Sequence, residues 1–182
     1  YGIGEVDVYG QLLIYKKMLQ NVVSNINKNY ISKPYNYEGY FKYSRQVDGQ
    51  EKVKEATVTI YDAQGYHRED VASAFKELNY KFNQVRRNSE VTSVWDGLTY
   101  FDDILTADIV RNTRNVLDIV NSRDYKLKSK GKLVYEGDSV QVISYQATHP
   151  SISTTGDPAV QTYSGEIYVN LKDLAVLKNV VN

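Results

Sequence analysis

The chain has 182 residues, the size of a single domain, and its 22 Lys and Arg residues balance its 22 Asp and Glu residues. A chain with no net charge has no general attraction for nucleic acid or another polyanion, so composition disfavours that class of partner. The sequence has no Cys, which excludes disulfides and thiolate chemistry, and no apolar run reaches the roughly 20 residues of a membrane-spanning helix.

The first predicted elements are a tail and a helix. Residues 1–10 contain Gly and aromatic interruptions and are interpreted as a tail or linker, which leaves residues 11–182 as one α+β domain. From Gln11 to Ile26, apolar residues recur at intervals of three and four, the spacing of one helix face. They are Leu12, Tyr15, Leu19, Val22, Val23 and Ile26. This pattern predicts an amphipathic helix that packs on a sheet.

Three strands are predicted after this helix. Tyr37–Arg45 and Lys52–Tyr61 alternate between apolar or aromatic and polar residues, and the Asp48-Gly49 pair between them is typical of a hairpin turn. Leu78–Arg87 alternates in the same way and predicts a third strand. The intervening segment His67–Lys76 is consistent with either a short helix or an irregular excursion.

A second helix is predicted near the middle of the chain, at Asp103–Leu117. Its interrupted apolar stripe consists of Ile104, Leu105, Ile109, Val116 and Leu117. Asp102 and Asp103 stand at its start, where carboxylates cap free N–H groups and favour the positive end of the helix dipole. The preceding segment contains the single Trp, Trp95, and is predicted to be a loop that places this side chain in the core.

The last third of the chain predicts four consecutive strands whose alternating residues share one buried face. They are Asp124–Tyr135, Ser139–Ala147, Gln161–Asn170 and Leu174–Val181, with a turn at Glu136–Asp138 and a long loop at Thr148–Ala159. Short connections imply antiparallel pairing, because parallel neighbours need long crossovers. The predicted fold is therefore a curved antiparallel sheet of about seven strands packed with two main helices. This half-barrel is similar in plan to periplasmic lipoprotein-carrier folds.

Residues with catalytic or metal-binding chemistry are sparse. His67 lies near Asp62 and Glu69, but a divalent metal needs three or four converging ligands and the chain has only two His. His149 stands in a loop rich in Ser, Thr and Pro, and no Gly-x-Ser-x-Gly elbow is present. The sequence predicts no metal, no cofactor and no enzymatic activity. A hydrolase that uses His67 with Asp62 or Glu69 is the weakest hypothesis.

The candidate site is a concavity between the sheet and the helices. The chain has 17 Tyr against 4 Phe, and Tyr combines an apolar ring with a polar tip that suits wet binding surfaces. The side chains predicted to line the concavity are Tyr40, Tyr80, Tyr145 and Tyr168. Such a concavity would bind an apolar or amphiphilic ligand, or a segment of a partner protein. In the alternative interpretation the helices fill it and the Tyr hydroxyls reach solvent.

Several segments resemble the region downstream of the regulatory module in bacterial carboxypeptidase-regulatory-like domain proteins. They are Asn29–Tyr35, Glu38–Lys42, Glu55–Tyr61, Leu105–Arg111, Gly137–Ile143 and Gly165–Val169. The resemblance implies an exported Gram-negative protein located in the periplasm or at the outer membrane. It also implies a non-enzymatic accessory or binding domain of a larger cell-envelope protein, with another envelope protein as partner. The alternative is a carrier that holds a lipophilic ligand in the concave face.

Overall fold

The computed structural model describes residues 3–68, 78–87, 104–105, 107–113, 115–118, 123–149 and 162–182. Within these ranges the chain forms one long helix and seven strands. They are α1 (Ile3–Asn29), β1 (Tyr35–Val47), β2 (Gln50–Asp62), β3 (Leu78–Arg87), β4 (Tyr125–Tyr135), β5 (Asp138–Ala147), β6 (Ser164–Asn170) and β7 (Val176–Val181). No helix in the described ranges is both long enough and apolar enough to cross a bilayer.

The strands form two antiparallel sheets. The first sheet has the order β1-β2-β3 and the second has the order β4-β5-β6-β7. The antiparallel pairing and the four-stranded C-terminal sheet are confirmed, whereas the prediction of one curved seven-stranded sheet is wrong. Alternating apolar and polar residues identify a strand, but they do not specify which other strand it pairs with. The pattern therefore could not show whether β3 and β4, which a long segment separates, pair with each other.

Two tight turns set the register of the β1-β2 pair and of the β4-β5 pair. Asp48 and Gly49 have φ angles of 51° and 76°, and Glu136 and Gly137 have φ angles of 50° and 87°. Positive φ at both central residues is the geometry of a two-residue hairpin turn that matches strand twist. The turns predicted at these two places are therefore confirmed, and each connects strands of ten or more residues.

Helix α1 covers one face of the second sheet. Its buried residues Leu19, Val22 and Ile26 follow the predicted spacing and belong to the same core cluster as Ile143 and Ile167 of the sheet. The helix begins at Ile3 rather than at Gln11, so residues 3–10 are helical. The division into a short linker and one domain over residues 11–182 stays a prediction.

The predicted second helix is replaced by a series of turns, the 107–118 loop. Within the described part of Asp103–Leu117, only Ile104 and Leu105 are helical. Asn115 donates from its side chain to the carbonyl groups of Ile109 and Asn112, at 3.0 and 2.5 Å. Short polar side chains that bond nearby backbone groups compete with the helix, which explains why the apolar stripe was misleading.

Several sequence predictions fall outside the described residues. They concern Trp95, the capping pair Asp102 and Asp103, the part of His67–Lys76 beyond Arg68 and the Thr148–Ala159 loop beyond His149. Arg68 itself is described, and it attaches the end of the first sheet to the 107–118 loop. Its guanidinium donates to the carbonyl groups of Ile109 and Val110 and forms an ion pair with Asp118 at 2.7 Å.

Candidate functional site: a cleft between the two sheets

The inner face of the first sheet follows from its register. Tyr37 pairs with Ile60 and Gly39 pairs with Val58, so these four residues lie on one face. Its apolar cluster is small, with Phe41, Val58 and Ile60 buried and Tyr43, Tyr80, Phe82 and Leu105 partly buried. No segment of α1 belongs to this cluster among the described residues. The described residues therefore cover this face only in part.

A cleft of about 550 Å³ lies where this face meets the 107–118 loop and strand β7. Its walls come from β1, β2, β7, the loop and two tyrosines that follow α1 and β2. The lining residues are Tyr30, Tyr37, Gly39, Tyr40, Val58, Ile60, Tyr66, Ile104, Leu105, Ala107, Asp108, Ile109, Val110, Val176, Leu177, Lys178, Asn179 and Val181. This volume falls in the range of small-molecule sites, which are commonly about 300–1,000 Å³.

Large apolar side chains on the walls of the cleft are exposed. Ile104 is 52% exposed, Tyr37 45% and Leu177 42%, and they come from the Ile104–Leu105 segment, from β1 and from β7. Single exposed apolar residues are common on protein surfaces, but several that converge on one concavity mark an interaction site. The cleft therefore exposes apolar surface to water, and a bound ligand would cover that surface.

One edge of the cleft is polar and well ordered. The rings of Tyr30 and Tyr66 stack with centroids 4.8 Å apart. The Tyr30 hydroxyl donates to the carbonyl of Val176 at 3.2 Å and accepts from its N–H at 3.1 Å. The Tyr66 hydroxyl donates to a carboxylate oxygen of Asp108, whose other oxygen accepts from the backbone N–H groups of the loop. This edge offers fixed polar groups beside an apolar cavity.

The pKa values of these tyrosines keep their hydroxyls protonated over a wide pH range. Burial raises the pKa of Tyr30 to about 12, with the nearby charge of Asp108 acting in the same direction. Burial, followed by the charge of Asp108, also raises the pKa of Tyr66. Protonated hydroxyls are hydrogen-bonding groups, so this edge of the cleft is suited to orienting a polar headgroup.

A buried ion pair holds the loop beside the cleft. Arg111 donates to Asp62, and the two side chains are 3% and 0% exposed. Asp62 also accepts from the N–H groups of Gln64 and Gly65 at 3.1 and 2.9 Å. Burial by itself lowers the pKa of Arg111, but the hydrogen bond and charge of Asp62 raise it above its ordinary value. The Arg111 guanidinium stacks on Tyr66 at 4.5 Å and so fixes the polar edge.

The four tyrosines predicted as the site are not brought together. Tyr40 borders the cleft, but strand alternation places its side chain on the opposite face from Tyr37 and Gly39. It is 67% exposed. Tyr80 is half-buried and belongs to the small cluster of the first sheet.

The other two predicted tyrosines belong to the second sheet. Tyr145 is 2% exposed inside the large core, and its hydroxyl donates to Asn179 at 3.3 Å. Tyr168 pairs with Val142 on the opposite face of that sheet and donates to Glu166 at 3.0 Å. The positions of these four residues do not support the prediction that they share one concavity. Neighbouring residues of a strand point to opposite faces, so a difference of one residue moves a side chain to the other face.

The side chains of the hydrolase hypothesis bond backbone groups or form an ion pair in the described part of the chain. Nδ1 of His67 lies 2.8 Å from the carbonyl oxygen of Gly65, and Asp62 forms the ion pair with Arg111. The described residues contain no group of three or more His, Cys, Asp or Glu placed to hold a metal ion. Glu69 lies outside the described residues, and His149 is exposed on the loop that follows β5.

Sequence reasoning missed Tyr30, Tyr66 and Asp108 as cleft residues, and it missed the Arg111–Asp62 ion pair beside the cleft. One local signal was available: Asp62 followed by Gly65 is typical of a turn in which the carboxylate accepts backbone N–H groups. Gly65 has a φ of 85°, and a Cβ there would collide with the backbone of Ser32 and Lys33. This close approach places Tyr66 against Tyr30, a contact that spacing in the sequence does not reveal.

Comparison with known proteins does not show a family for this chain. No family model matches it, and no curated protein matches it. Among solved structures it is similar to the lipoprotein LppX of Mycobacterium tuberculosis, at 12% identity and a TM-score of 0.36. The match covers 90% of this chain and 86% of that one. A TM-score this low does not establish a shared fold or a shared role.

Proposed function

We propose that this chain is a binding domain whose cleft takes an apolar or amphiphilic ligand. The observation that carries the proposal is the cleft of about 550 Å³ on the uncovered face of the first sheet, with exposed Tyr37, Ile104 and Leu177 on its walls. An apolar chain would bury these side chains, at about 25 cal/mol per Å² of apolar surface removed from water. The polar edge of Tyr30 and Tyr66 suits a ligand with one hydrogen-bonding end.

The concavity predicted from the sequence was either open to a ligand or filled by helices, and we propose that each alternative applies to a different sheet. Helix α1 and the 107–118 loop fill the inner face of the second sheet, whose Ile143, Ile167 and Val169 are each 0% exposed. The inner face of the first sheet keeps open space between itself and β7. Binding is therefore proposed for the first sheet alone, and this supports the carrier alternative over a purely structural domain.

The wider role completes the proposal. The chain would serve as a non-enzymatic accessory domain of a larger exported cell-envelope protein, as the resemblance to carboxypeptidase-regulatory-like domain proteins implies. In that setting the ligand is either a lipophilic molecule or an apolar segment of another envelope protein. Both occupants need the same apolar face, so variants of this face would affect either one, and incubation with lipid tests the lipophilic molecule.

The test is native mass spectrometry of the full chain after incubation with a cell-envelope lipid extract. In the Gly39→Phe variant an aromatic ring enters the cleft. A Cβ at Gly39 meets only Val58, at 3.6 Å, so the backbone tolerates it. The matched control is Ser44→Phe, which adds the same ring to the exposed opposite face of the same strand. We expect lipid adducts on the wild type and on Ser44→Phe, and at least about tenfold fewer on Gly39→Phe.

Two outcomes would contradict the proposal. A wild-type chain that carries no lipid adduct, or a Gly39→Phe variant that binds lipid as well as the control, would show that the cleft is not a site for lipophilic ligands. Hydrolysis of peptides or esters by the wild type that is lost in His67→Ala would replace binding with catalysis. Circular dichroism of each variant checks that the fold is retained.

A further inference from the structure

Strand β4 is the most exposed strand of the second sheet. It is an edge strand, with β5 as its one neighbour among the described strands. The eight consecutive residues Lys128–Tyr135 are all exposed, although every one of them belongs to the strand. A strand that is exposed on both faces contributes little to the core, so its side chains are available for another purpose.

The residues of this strand are basic along its length and apolar at its end. Its basic residues are Lys126, Lys128, Lys130 and Lys132, and Tyr125–Tyr135 contains no Asp or Glu. The strand then ends in Leu133, Val134 and Tyr135, which are 39%, 73% and 53% exposed. Because the chain as a whole has no net charge, this positive strip is a local feature. We call Lys126–Tyr135 the basic edge.

Three of these lysines line a polar recess of about 490 Å³. Lys126, Lys128 and Lys130 line it together with Ser144, Ser164 and other polar residues. Within the described residues Lys130 lies 4.0 Å from Glu166, whereas Lys126 and Lys128 form no ion pair. Ammonium groups beside hydroxyl groups are suited to binding a phosphate.

Protection of the sheet edge explains part of this pattern but not all of it. Lysines on an edge strand and a bulge, here between Ser129 and Gly131, both discourage pairing with other chains. Three consecutive exposed apolar residues have the opposite effect, because they favour association. A soluble polyanion would neutralise the lysines and leave Val134 in water. The interface of an anionic bilayer accommodates both kinds of side chain, with phosphates for lysine and an apolar boundary for Leu, Val and Tyr.

We infer that the basic edge binds the surface of an anionic phospholipid membrane. The lysines contact the phosphate groups, and Leu133, Val134 and Tyr135 enter the boundary between headgroups and acyl chains. The strand rises about 3.3 Å per residue, so Lys128 and Val134 are about 20 Å apart and the strand lies along the surface. Strand β4 and strand β7 are at opposite edges of the second sheet, and β7 is the strand of this sheet that lines the cleft, so binding at the basic edge does not depend on the cleft.

The test is co-sedimentation of the full chain with vesicles of phosphatidylglycerol and phosphatidylcholine, compared with vesicles of phosphatidylcholine alone. We expect binding to the anionic vesicles, and loss of binding when salt is raised from about 0.05 M to about 0.5 M. Replacement of Lys126, Lys128, Lys130 and Lys132 together by Gln should weaken vesicle binding at least about tenfold. Val134→Asp should weaken it several-fold, because a charge then replaces the inserted side chain.

The control variant removes the same number of charges from elsewhere on the surface. Lys17, Lys33, Lys42 and Lys81 are all exposed, and their joint replacement by Gln should leave vesicle binding unchanged. The inference is overturned if the wild type does not bind anionic vesicles, or if this control loses binding as much as the basic-edge variant. It is also overturned if heparin or inorganic phosphate competes fully while Val134→Asp has no effect, since the surface would then bind free polyanions.

Discussion

The two sheets of this protein have similar strands and very different coverage. On the second sheet, α1 and the 107–118 loop bury Ile143, Ile167 and Val169 completely. On the first sheet, the buried apolar cluster consists of Phe41, Val58 and Ile60, and the same face continues into an open cleft. Alternating strands occur in both sheets, so the sheets differ in how far other elements cover them, and the proposed binding site is on the face that the described residues cover only in part.

The largest expected effect comes from breaking the ion pair that joins the first sheet to the 107–118 loop. Arg111→Met leaves the carboxylate of Asp62 buried without its partner, which should lower the free energy of unfolding by about 3–5 kcal/mol. Urea denaturation measures the loss. The double variant with Asp62→Asn should recover part of it, because the uncompensated charge is gone.

The matched control for this pair is Lys172→Gln. Lys172 lies 3.5 Å from Asp138, but its side chain is 75% exposed, and such surface pairs contribute little. Equal losses for Arg111→Met and Lys172→Gln would show that the 107–118 loop is not held by the buried pair.

A second prediction compares one isoleucine from each sheet. Ile167→Ala empties a closed site in the large core and should cost about 4 kcal/mol, whereas Ile60→Ala enlarges an existing cleft and should cost about 2 kcal/mol. Chemical denaturation of the two variants gives both values. Equal costs, or a larger cost at Ile60, would mean that the inner face of the first sheet is as tightly packed as that of the second.

Two glycines provide a third comparison, with smaller effects. A Cβ at Gly165 of β6 would collide with the carbonyl oxygen of Val180 and with the ring of Tyr145, whereas a Cβ at Gly39 of β1 has room. Gly165→Ala should therefore cost about 1–3 kcal/mol through overpacking. Gly39→Ala should be neutral or stabilising by about 0.5 kcal/mol, because Gly loses more conformational freedom on folding. Thermal denaturation distinguishes these outcomes, and a reversed order would contradict the assignment of the open face.

The smallest expected effect is a pH dependence at the polar edge of the cleft. The folded pKa of Tyr30 is about 12 against an ordinary value of 10.0. Its contribution to stability is therefore complete below pH 10 and is lost as the pH rises toward 12, because the unfolded state releases the proton first. The free energy of unfolding should fall less steeply above pH 10 in Tyr30→Phe than in the wild type. Parallel pH profiles would show that the Tyr30 hydroxyl is not buried.

Much of the fold could be predicted from the sequence, because strands and tight turns are encoded locally. The alternation in Lys52–Tyr61 and the positive-φ pair Asp48-Gly49 required no knowledge of the rest of the chain. The 107–118 loop could not be predicted, since its apolar residues have near-helical spacing while Asn115 bonds the backbone instead. The spacing of apolar residues in this segment is compatible both with a helix and with a series of turns.

The candidate site was less predictable than the fold. Tyr40 and Tyr145 are aromatic residues on alternating strands, yet one is exposed on the outer face and the other is enclosed in the core. Which face a strand residue occupies depends on pairing between distant strands. The residues that form the polar edge, Tyr30, Tyr66 and Asp108, come from three separate segments. Their proximity depends on packing, which composition and spacing do not report.

The most direct test of the account is methyl NMR of the full chain during titration with a long-chain fatty acid. Ile60 and Val58 report on the open face of the first sheet, and Ile143 and Ile167 report on the filled face of the second. We predict saturable shifts of the Ile60 and Val58 methyl signals at ligand concentrations that leave the Ile143 and Ile167 signals unchanged. Shifts of all four signals together, or of none, would contradict the claim that the uncovered face of the first sheet is the binding site.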